Sequence, residues 1–350
     1  MTGSVRTPAE TAVQSYDDLP LHTDMDLPVE VTAPLAAFQG AEPPSPQWFK
    51  DAIANAPERT FVESNGSRIE LLTWGELGRP GVLLVHGNSA HADWWSHIAP
   101  FLAEDYRVAA MSLAGMGGSD WRPRYGFDLF AGDALACVQA AGLDQGGVKP
   151  IYVGHSFGGS NVFYTAAEHP ERMRGAILVD CGLSGPPPEA QARLQRRAQM
   201  ALTDPDSVAS RVYPTLAAAL ARFRLMPPQV CGEIYVADFI ARHALREAPM
   251  RDGSGRTGWT WKFDPEAWTK LDRAPFEDLR AARDLAVRTP VAHLLGDRSG
   301  IVERRKAGEP SQLPEGTPEI AIPNSAHHVM VDQPLALVAA LRALLATWPA

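Results

Sequence analysis

A pentapeptide near the middle of the chain, Gly154-His-Ser-Phe-Gly158, constrains the fold more than any other stretch. The apolar residues 151–153 before it are typical of a buried strand, and residues 161–169 after it are typical of a helix. A strand, a sharp turn and a helix in that order predict that Ser156 sits in a strained turn, with its hydroxyl raised above the end of the strand. Glycine is required two residues to either side, because a Cβ there would collide with a neighbouring element.

Strand-type and helix-type stretches alternate around this turn. Fully apolar runs indicate strands buried on both faces, and therefore a parallel sheet covered by helices. The pattern predicts an α/β fold with a doubly wound, mostly parallel sheet, and it places ligand chemistry at the carboxyl ends of the strands. The predicted strands are residues 60–63, 68–74, 82–85, 108–113, 151–153, 176–179, 291–295 and 319–322, and the predicted helices are residues 95–104, 129–141, 161–169 and 335–345.

The alternation divides the chain into three predicted parts. Residues 1–45 are rich in Pro, Asp, Thr and Ala with little periodicity, which is typical of a flexible N-terminal arm. The strand and helix pattern occupies residues 46–182 and 284–350. Residues 183–283 between these stretches are helix-rich and too long for a simple connection. We therefore predict an α/β core with an inserted helical cap, whose aromatic residues supply its own core and a pocket ceiling above Ser156.

Charge and cysteine content restrict the expected partners. A formal charge of −9 and a pI of about 5.6 argue against nucleic acid and against a membrane as partner. The three cysteines form no Cys-x-x-Cys pair, so no metal site and no cofactor is expected, and a reducing compartment fits them. The N-terminus lacks a signal-type apolar region, and no apolar run of membrane-spanning length follows. We expect a cytoplasmic protein that acts on a small molecule, with a homodimer left open.

A nucleophilic serine needs a base within hydrogen-bond reach, and that base needs a third group to orient it. His327 is the preferred base. It follows the predicted strand 319–322 across a short turn and begins the pattern Ala-His-x-x-x-x-Asp332-Gln-Pro334, whose second half starts the last helix. Its neighbour His328 is the alternative.

Four motifs resemble those of the α/β-hydrolase superfamily, and the resemblance extends from Arg59 to the end of the chain. It implies a capped serine hydrolase similar to esterases and lactonases. It also implies that Ser156 is the nucleophile, that His327 is the base, and that the backbone amides of Asn88 and Phe157 form an oxyanion hole. The motifs are Val82-Leu-Leu-Val-His86-Gly87, Leu113-Ala-Gly-Met-Gly-Gly-Ser119, Gly154-His-Ser-Phe-Gly158, and Ala326-His327 with Asp332-Gln-Pro334.

The acidic member of the triad has two candidates. In much of the superfamily it lies after the seventh strand, three residues beyond a glycine, but three residues after Gly296 this chain has Ser299. Asp297 is nearer to that glycine and would need a shifted loop. In other branches the acid follows the sixth strand, and Asp180 occupies that position at the end of the run 176–180. We predict Asp180, with Asp297 as the alternative.

Several residues near the predicted site receive weaker assignments. Trp94, Trp95 and His155 are candidate substrate-binding residues. The tryptophans also suit a pocket wall or the core, and the His155 ring is expected to face away from the nucleophile. His86 is predicted to be structural, beneath the oxyanion loop. The second motif has Ser112 where an aspartate is usual, which is expected to change only a local turn contact.

The predicted reaction is cleavage of a carboxylic ester or lactone of a medium-sized, mostly apolar substrate through an acyl-enzyme. Two alternatives remain from other classes. One is a hydrolase or lyase of the same fold that acts on a carbon–carbon bond. The other is a non-catalytic ligand receptor. Dehalogenases and epoxide hydrolases of this fold use an aspartate where this chain has Ser156.

Overall fold

The computed structural model describes residues 27–183, 209–272 and 289–348, together with residues 192, 196, 199 and 200. Eight strands form one sheet in the order β1-β2-β4-β3-β5-β6-β9-β10. The first three are joined by antiparallel pairing and the rest by parallel pairing. The strands are β1 (Glu58–Ser64), β2 (Ser67–Trp74), β3 (Gly81–Val85), β4 (Arg107–Met111), β5 (Ile151–His155), β6 (Gly175–Val179), β9 (Val291–Gly296) and β10 (Glu319–Ile322), while β7 (Leu245–Pro249) and β8 (Thr257–Trp261) form a separate hairpin.

Helices cover both faces of the sheet, which confirms the predicted α/β class. Every residue of β3, β5 and β6 is buried, as their apolar runs predict. In the described ranges 27–183, 209–272 and 289–348 the helices are α1 (Val29–Thr32), α2 (Gln47–Ala54), α3 (Ala99–Leu102), α4 (Phe127–Ala140), α5 (Phe157–Glu168), α6 (Leu216–Leu220), α7 (Ile234–His243), α8 (Gly300–Lys306), α9 (Val329–Asp332) and α10 (Pro334–Thr347). One face of the sheet packs against α4 and α5, and the other against α3 and α10.

The helix predicted over residues 95–104 is wrong in its extent. The chain instead makes a 3₁₀ turn, Ala92–Trp95, followed by the single turn of α3. Pro100 lies at the start of α3, where its missing N–H costs nothing, but it cannot continue a helix that began before it. The apolar periodicity therefore spans two short elements.

Residues 27–45 of the predicted N-terminal arm are described and pack against the rest of the chain, whereas residues 1–26 lie outside the described part. Val31 and Leu35 are buried, and the Arg242 guanidinium of α7 donates a 2.8 Å hydrogen bond to the carbonyl of Gly40. This segment packs through isolated side chains rather than through a long amphipathic helix. Sequence periodicity therefore gives no sign of it.

The predicted cap is described over residues 209–272, and its boundaries remain a prediction. This part contains α6, α7 and the β7–β8 hairpin, so it is not helical throughout. Backbone bridges join Met116 to Phe263 and Tyr125 to Leu271, which lays the end of the segment along the core. The Asp264 carboxylate holds this end, because it accepts hydrogen bonds from Tyr125 Oη at 2.8 Å and from Lys270 Nζ at 2.9 Å.

A buried ion pair ties α4 to the β1–β2 hairpin. Arg122 donates to both Asp133 oxygens at 2.7 and 2.9 Å, and its remaining donors reach Ser67 Oγ and the carbonyl of Ser64. The side chains of Arg122 and Asp133 are only 4% and 0% exposed. Since every charge in this group has partners, removing one partner would leave a buried charge unpaired.

We predict that Asp133→Ala lowers the free energy of unfolding by about 3–5 kcal/mol. The matched control is Asp128→Ala, because Asp128 pairs with Arg124 at the half-exposed start of the same helix and should cost less than about 1 kcal/mol. Urea unfolding followed by circular dichroism measures both. Equal losses in the two variants would contradict the assignment.

Candidate active site

The turn after β5 holds Ser156 in a strained conformation, with φ 52° and ψ −120°. Its amide donates to the carbonyl of Val179 at 3.0 Å, and α5 begins at the next residue. A Cβ on Gly154 would lie 2.4 Å from the carbonyl oxygen of Gly158, and one on Gly158 would lie 2.5 Å from that of Val85. The predicted strand, turn and helix are therefore present, and contacts across the turn impose both glycines.

Three side chains from three separate loops meet at this turn. His327 Nε2 lies 2.9 Å from Ser156 Oγ, and His327 Nδ1 lies 2.8 Å from Asp180 Oδ1. The second Asp180 oxygen accepts the amide of Gly296 at 2.9 Å, and the carboxylate is fully buried. Because a carboxylate only accepts, the hydrogen-bond network assigns the proton to Nδ1 and leaves the Nε2 lone pair facing the serine hydroxyl.

The alternative acid, Asp297, occupies a different position. Its carboxylate accepts the amide of Ser325 at 3.1 Å, and its own amide donates to Ile322. Asp297 therefore holds the turn that precedes His327 rather than the imidazole ring. Ser299, at the usual acid position, caps the first turn of α8.

Two side chains hold the backbone of the loop around His327. Asp332 Oδ2 accepts the amide of Ala326 at 2.8 Å, and Gln229 Oε1 accepts the amide of His328 at 2.9 Å. Gln229 Nε2 also donates to both Asp332 oxygens, at 3.0 and 2.9 Å. Burial raises the pKa of the Asp332 carboxyl, and the amides that it accepts oppose that shift. Gln229 belongs to the predicted cap, so the cap is bonded to the loop of the candidate base.

His155 lies behind His327. Its Nε2–H donates to the His327 carbonyl at 3.0 Å, and its ring stacks on Trp94 with 6.4 Å between ring centroids. Trp94 and His155 are buried against the base loop, and Trp95 is fully buried in the core. Their positions favour support and core packing over the substrate-binding role considered from sequence, because their side chains are closed off from solvent.

The two candidate oxyanion donors lie next to Ser156. Phe157 is the first residue of α5, where backbone amides have no partner within the helix and the helix dipole favours negative charge. On the other side, a Cβ on Gly87 would lie 3.3 Å from Ser156 Cβ, so the loop that leads to Asn88 touches the serine turn. Asn88 and Phe157 line one cavity together.

His86 supports this loop as the sequence predicts. Its Nδ1–H donates to the carbonyl of Gly87 at 2.7 Å, and its Nε2 accepts the amide of Leu113 at 2.9 Å. Burial lowers the pKa of His86 to about 3, so the ring is neutral. A neutral ring with both nitrogens occupied is a structural link rather than a proton carrier.

Glu70 is a supporting residue that the sequence analysis missed. Ser112 Oγ donates to Glu70 Oε2 at 2.6 Å and accepts the amide of Ala92 at 3.0 Å. A carboxylate from β2 therefore stands beside Ser112, where an aspartate is usual in the motif. The sequence offered one sign of this role, because Glu70 lies between the apolar residues Ile69 and Leu71 of a predicted strand.

A narrow, partly open cavity adjoins the serine turn. None of its lining residues is charged, and three of them belong to the end of the described cap segment. The lining residues are Asn88, Met116, Tyr125, Phe130, Phe157, Ala267, Trp268 and Leu271.

Two further sequence expectations concern thiols and membranes. Cys137, Cys181 and Cys231 are free, and burial raises the pKa of the Cys181 thiol to about 12, as is usual for a thiol packed in the core. Within the part of the chain that the structure describes, none of the helices has the length and apolar character needed to cross a bilayer.

Residues 80–334 match the family described as the alpha/beta hydrolase fold. The chain belongs to the α/β-hydrolase family. Epoxide hydrolase A of Mycobacterium tuberculosis is 32% identical over 129 residues, which cover 35% of this chain and 38% of that protein. Lipase LipV of the same organism is 35% identical over 108 residues, which cover 31% and 39%. The chain thus matches about two fifths of the length of each relative.

A solved structure of E-2-(acetamidomethylene)succinate hydrolase resembles this α/β hydrolase over most of its length. The superposition has a TM-score of 0.64 at 20% identity and covers 83% of this chain and all of the other. That likeness confirms the predicted fold and carries no information on substrate.

We predict that Asp180→Asn in this α/β hydrolase lowers kcat by about 10⁴-fold, because an amide would not hold the imidazole in the required tautomer or stabilise its protonated form. The matched control Asp297→Asn should lower kcat by less than about tenfold, because its carboxylate contacts only backbone. Steady-state hydrolysis of an aryl ester compares them. The reverse order would assign the acid to Asp297.

We also predict that Gln229→Met lowers kcat by about tenfold with little change in KM, because the loop that positions His327 loses a hydrogen bond. A rise of about 1.4 kcal/mol in the activation free energy corresponds to that factor. The matched control is Gln312→Met. Gln312 accepts the amide of Leu183 at 2.7 Å, away from the His327 loop, and its loss should leave kcat unchanged. Equal kcat values for both variants would show that Gln229 acts only on stability.

Proposed function

We propose that this protein is a serine hydrolase that cleaves a carboxylic ester or lactone of a medium-sized, mostly apolar substrate through an acyl-enzyme. One observation carries the proposal, namely the unbroken hydrogen-bond chain from Ser156 through His327 to Asp180. This arrangement supplies a nucleophile, a base with its lone pair directed at the nucleophile, and a buried carboxylate that stabilises the protonated base.

In the proposed reaction, His327 Nε2 takes the proton of Ser156 as Oγ attacks the carbonyl carbon. The amides of Asn88 and Phe157 stabilise the oxyanion, and Asp180 stabilises the imidazolium. His327 then gives its proton to the departing alkoxide, which leaves an acyl group on Ser156. A water molecule, deprotonated by His327, attacks that ester and releases the acid.

The cavity supports an apolar acyl group. The two candidate oxyanion residues, Asn88 and Phe157, both line it, so a substrate carbonyl held by their amides would have its acyl chain beside aromatic and aliphatic side chains. Trp268 packs on Phe157 with 5.4 Å between ring centroids and contributes one side of this space. A charged acyl group would find no counterion among the lining residues.

The similarity to an epoxide hydrolase does not favour that activity here. If Ser156 opened an epoxide, it would become linked to the substrate by an ether. An ether has no carbonyl for water to attack, so the triad could not release the product. Ester or lactone cleavage instead forms an acyl-enzyme that the same groups can hydrolyse.

The alternatives are resolved by one panel of substrates and one probe. Wild type and Ser156→Ala are treated with a fluorophosphonate and assayed on aryl esters of increasing chain length, lactones, 1,3-diketones and epoxides. We expect labelling only in wild type, and ester or lactone turnover at least about 10³-fold lower in the variant. Diketone cleavage without ester turnover would favour carbon–carbon hydrolysis. Absence of both labelling and turnover would favour a receptor.

We predict that Trp268→Ala shifts the preference toward longer acyl chains, because the removed indole leaves space beside Phe157. The ratio of kcat/KM for an octanoyl ester to that for a butanoyl ester should rise about tenfold, since each methylene in such a pocket is worth about 1–3 kcal/mol. The control Trp121→Ala removes an exposed tryptophan and should leave the ratio unchanged. An unaltered ratio in Trp268→Ala would show that the acyl chain does not bind in this cavity.

A further inference from the structure

Three histidines form a compact cluster at the candidate active site. One ring nitrogen from each of His155, His327 and His328 lies within 4.8 Å of the other two. The ring centroids are 4.9 Å apart for His155 and His327, 5.5 Å for His155 and His328, and 4.9 Å for His327 and His328. Three imidazoles bound to one tetrahedral ion at Zn–N distances of about 2.0–2.1 Å place their ring centres at roughly this spacing.

Two of these rings have unused donor or acceptor capacity. The Nδ1 atoms of His155 and His328 are buried and have no hydrogen-bond partner among the described residues. An unpaired buried polar atom costs about 1–3 kcal/mol, so two within one cluster require an explanation. Because His155 Nε2–H donates to the His327 carbonyl, its lone pair lies on Nδ1.

Both rings are also in the form that binds metal. Burial and the neighbouring imidazoles lower the pKa of His155 and His328 well below the usual value. Neutral imidazoles select Zn²⁺, Cu²⁺ or Ni²⁺ over the hard cations Mg²⁺ and Ca²⁺.

The third ligand has a second partner already in place. His327 Nδ1–H donates to Asp180, which leaves Nε2 as the ligand atom. A carboxylate behind a coordinating histidine is the usual support of a zinc ligand, since it fixes the ring and raises its basicity. The His327 side chain is 17% exposed, so the cluster reaches solvent through this ring.

We propose that His155, His327 and His328 form an inhibitory site for a transition-metal ion, for which Zn²⁺ is the reference ligand. The bound ion takes the Nε2 lone pair of His327, which the proposed reaction uses to deprotonate Ser156, and the Ser156 hydroxyl, 2.9 Å from that nitrogen, turns away to admit it. Binding therefore stops turnover reversibly without changing a covalent bond. Inhibition rests on the proposed function, whereas metal binding itself does not.

The test compares metal-free wild type with His328→Phe, which keeps a ring against Trp94 and lacks ligand nitrogens. The control is His243→Phe, a half-buried histidine outside the cluster that packs on Phe239. Calorimetry with Zn²⁺ gives stoichiometry and affinity, and the visible spectrum of bound Co²⁺ reports tetrahedral coordination. Ester hydrolysis at increasing Zn²⁺, then with chelator, gives inhibition and recovery.

We expect one ion per chain in wild type and in the control. His328→Phe should bind at least about 100-fold more weakly, because even the loss of a supporting residue costs 10- to 100-fold in affinity. The half-inhibitory Zn²⁺ concentration should rise by the same factor, and chelator should restore wild-type turnover. If His328→Phe is not folded by circular dichroism, His328→Gln replaces it.

Failure to bind one ion in wild type, or equal binding by wild type and His328→Phe, would overturn the proposal. Either result would leave the three rings as packing residues of the base loop. Calorimetry and the Co²⁺ spectrum need no turnover. An inactive preparation that still binds one ion would therefore count against the proposed hydrolysis and in favour of the metal site.

Discussion

The hydrogen bond between His327 and Asp180 is the contact on which the arrangement of this site depends. Asp180 lies just after β6 with φ 42°, a backbone conformation that few residues other than glycine adopt. Its carboxylate is buried and also accepts the amide of Gly296 at the end of β9. A buried carboxylate needs such donors, so this side chain joins two neighbouring strands to the loop that carries the imidazole.

The loop around His327 is fixed at three successive residues. Asp332 accepts a hydrogen bond from the amide of Ala326, and Gln229 accepts one from the amide of His328. Between them, His155 donates a hydrogen bond to the carbonyl of His327. One of these partners adjoins the serine and another comes from the segment predicted as a cap. The segment predicted as a cap therefore supports the loop of His327 and also lines the cavity.

Local patterns were enough to predict much of the fold. The central strands β3, β5 and β6 were predicted because buried parallel strands are continuous apolar runs. The serine turn was predicted because two glycines flank it at fixed spacing. Predictions failed where packing overrides periodicity. Residues 92–102 form two short elements because Pro100 starts a new turn. Residues 27–45 pack through single buried side chains, of which local periodicity gives no sign.

The sequence by itself determined the α/β class, the strained position of Ser156 and the choice of His327, because these depend on residues close together in the chain. It left the acid open between Asp180 and Asp297, and it gave no sign of the contact between Glu70 and Ser112, of Gln229 on the base loop, or of the three clustered histidines. Only the tertiary structure decided these positions. Each of these contacts joins residues that are dozens to more than a hundred positions apart in the chain. The path of the intervening loops brings them together, and no local pattern encodes that path.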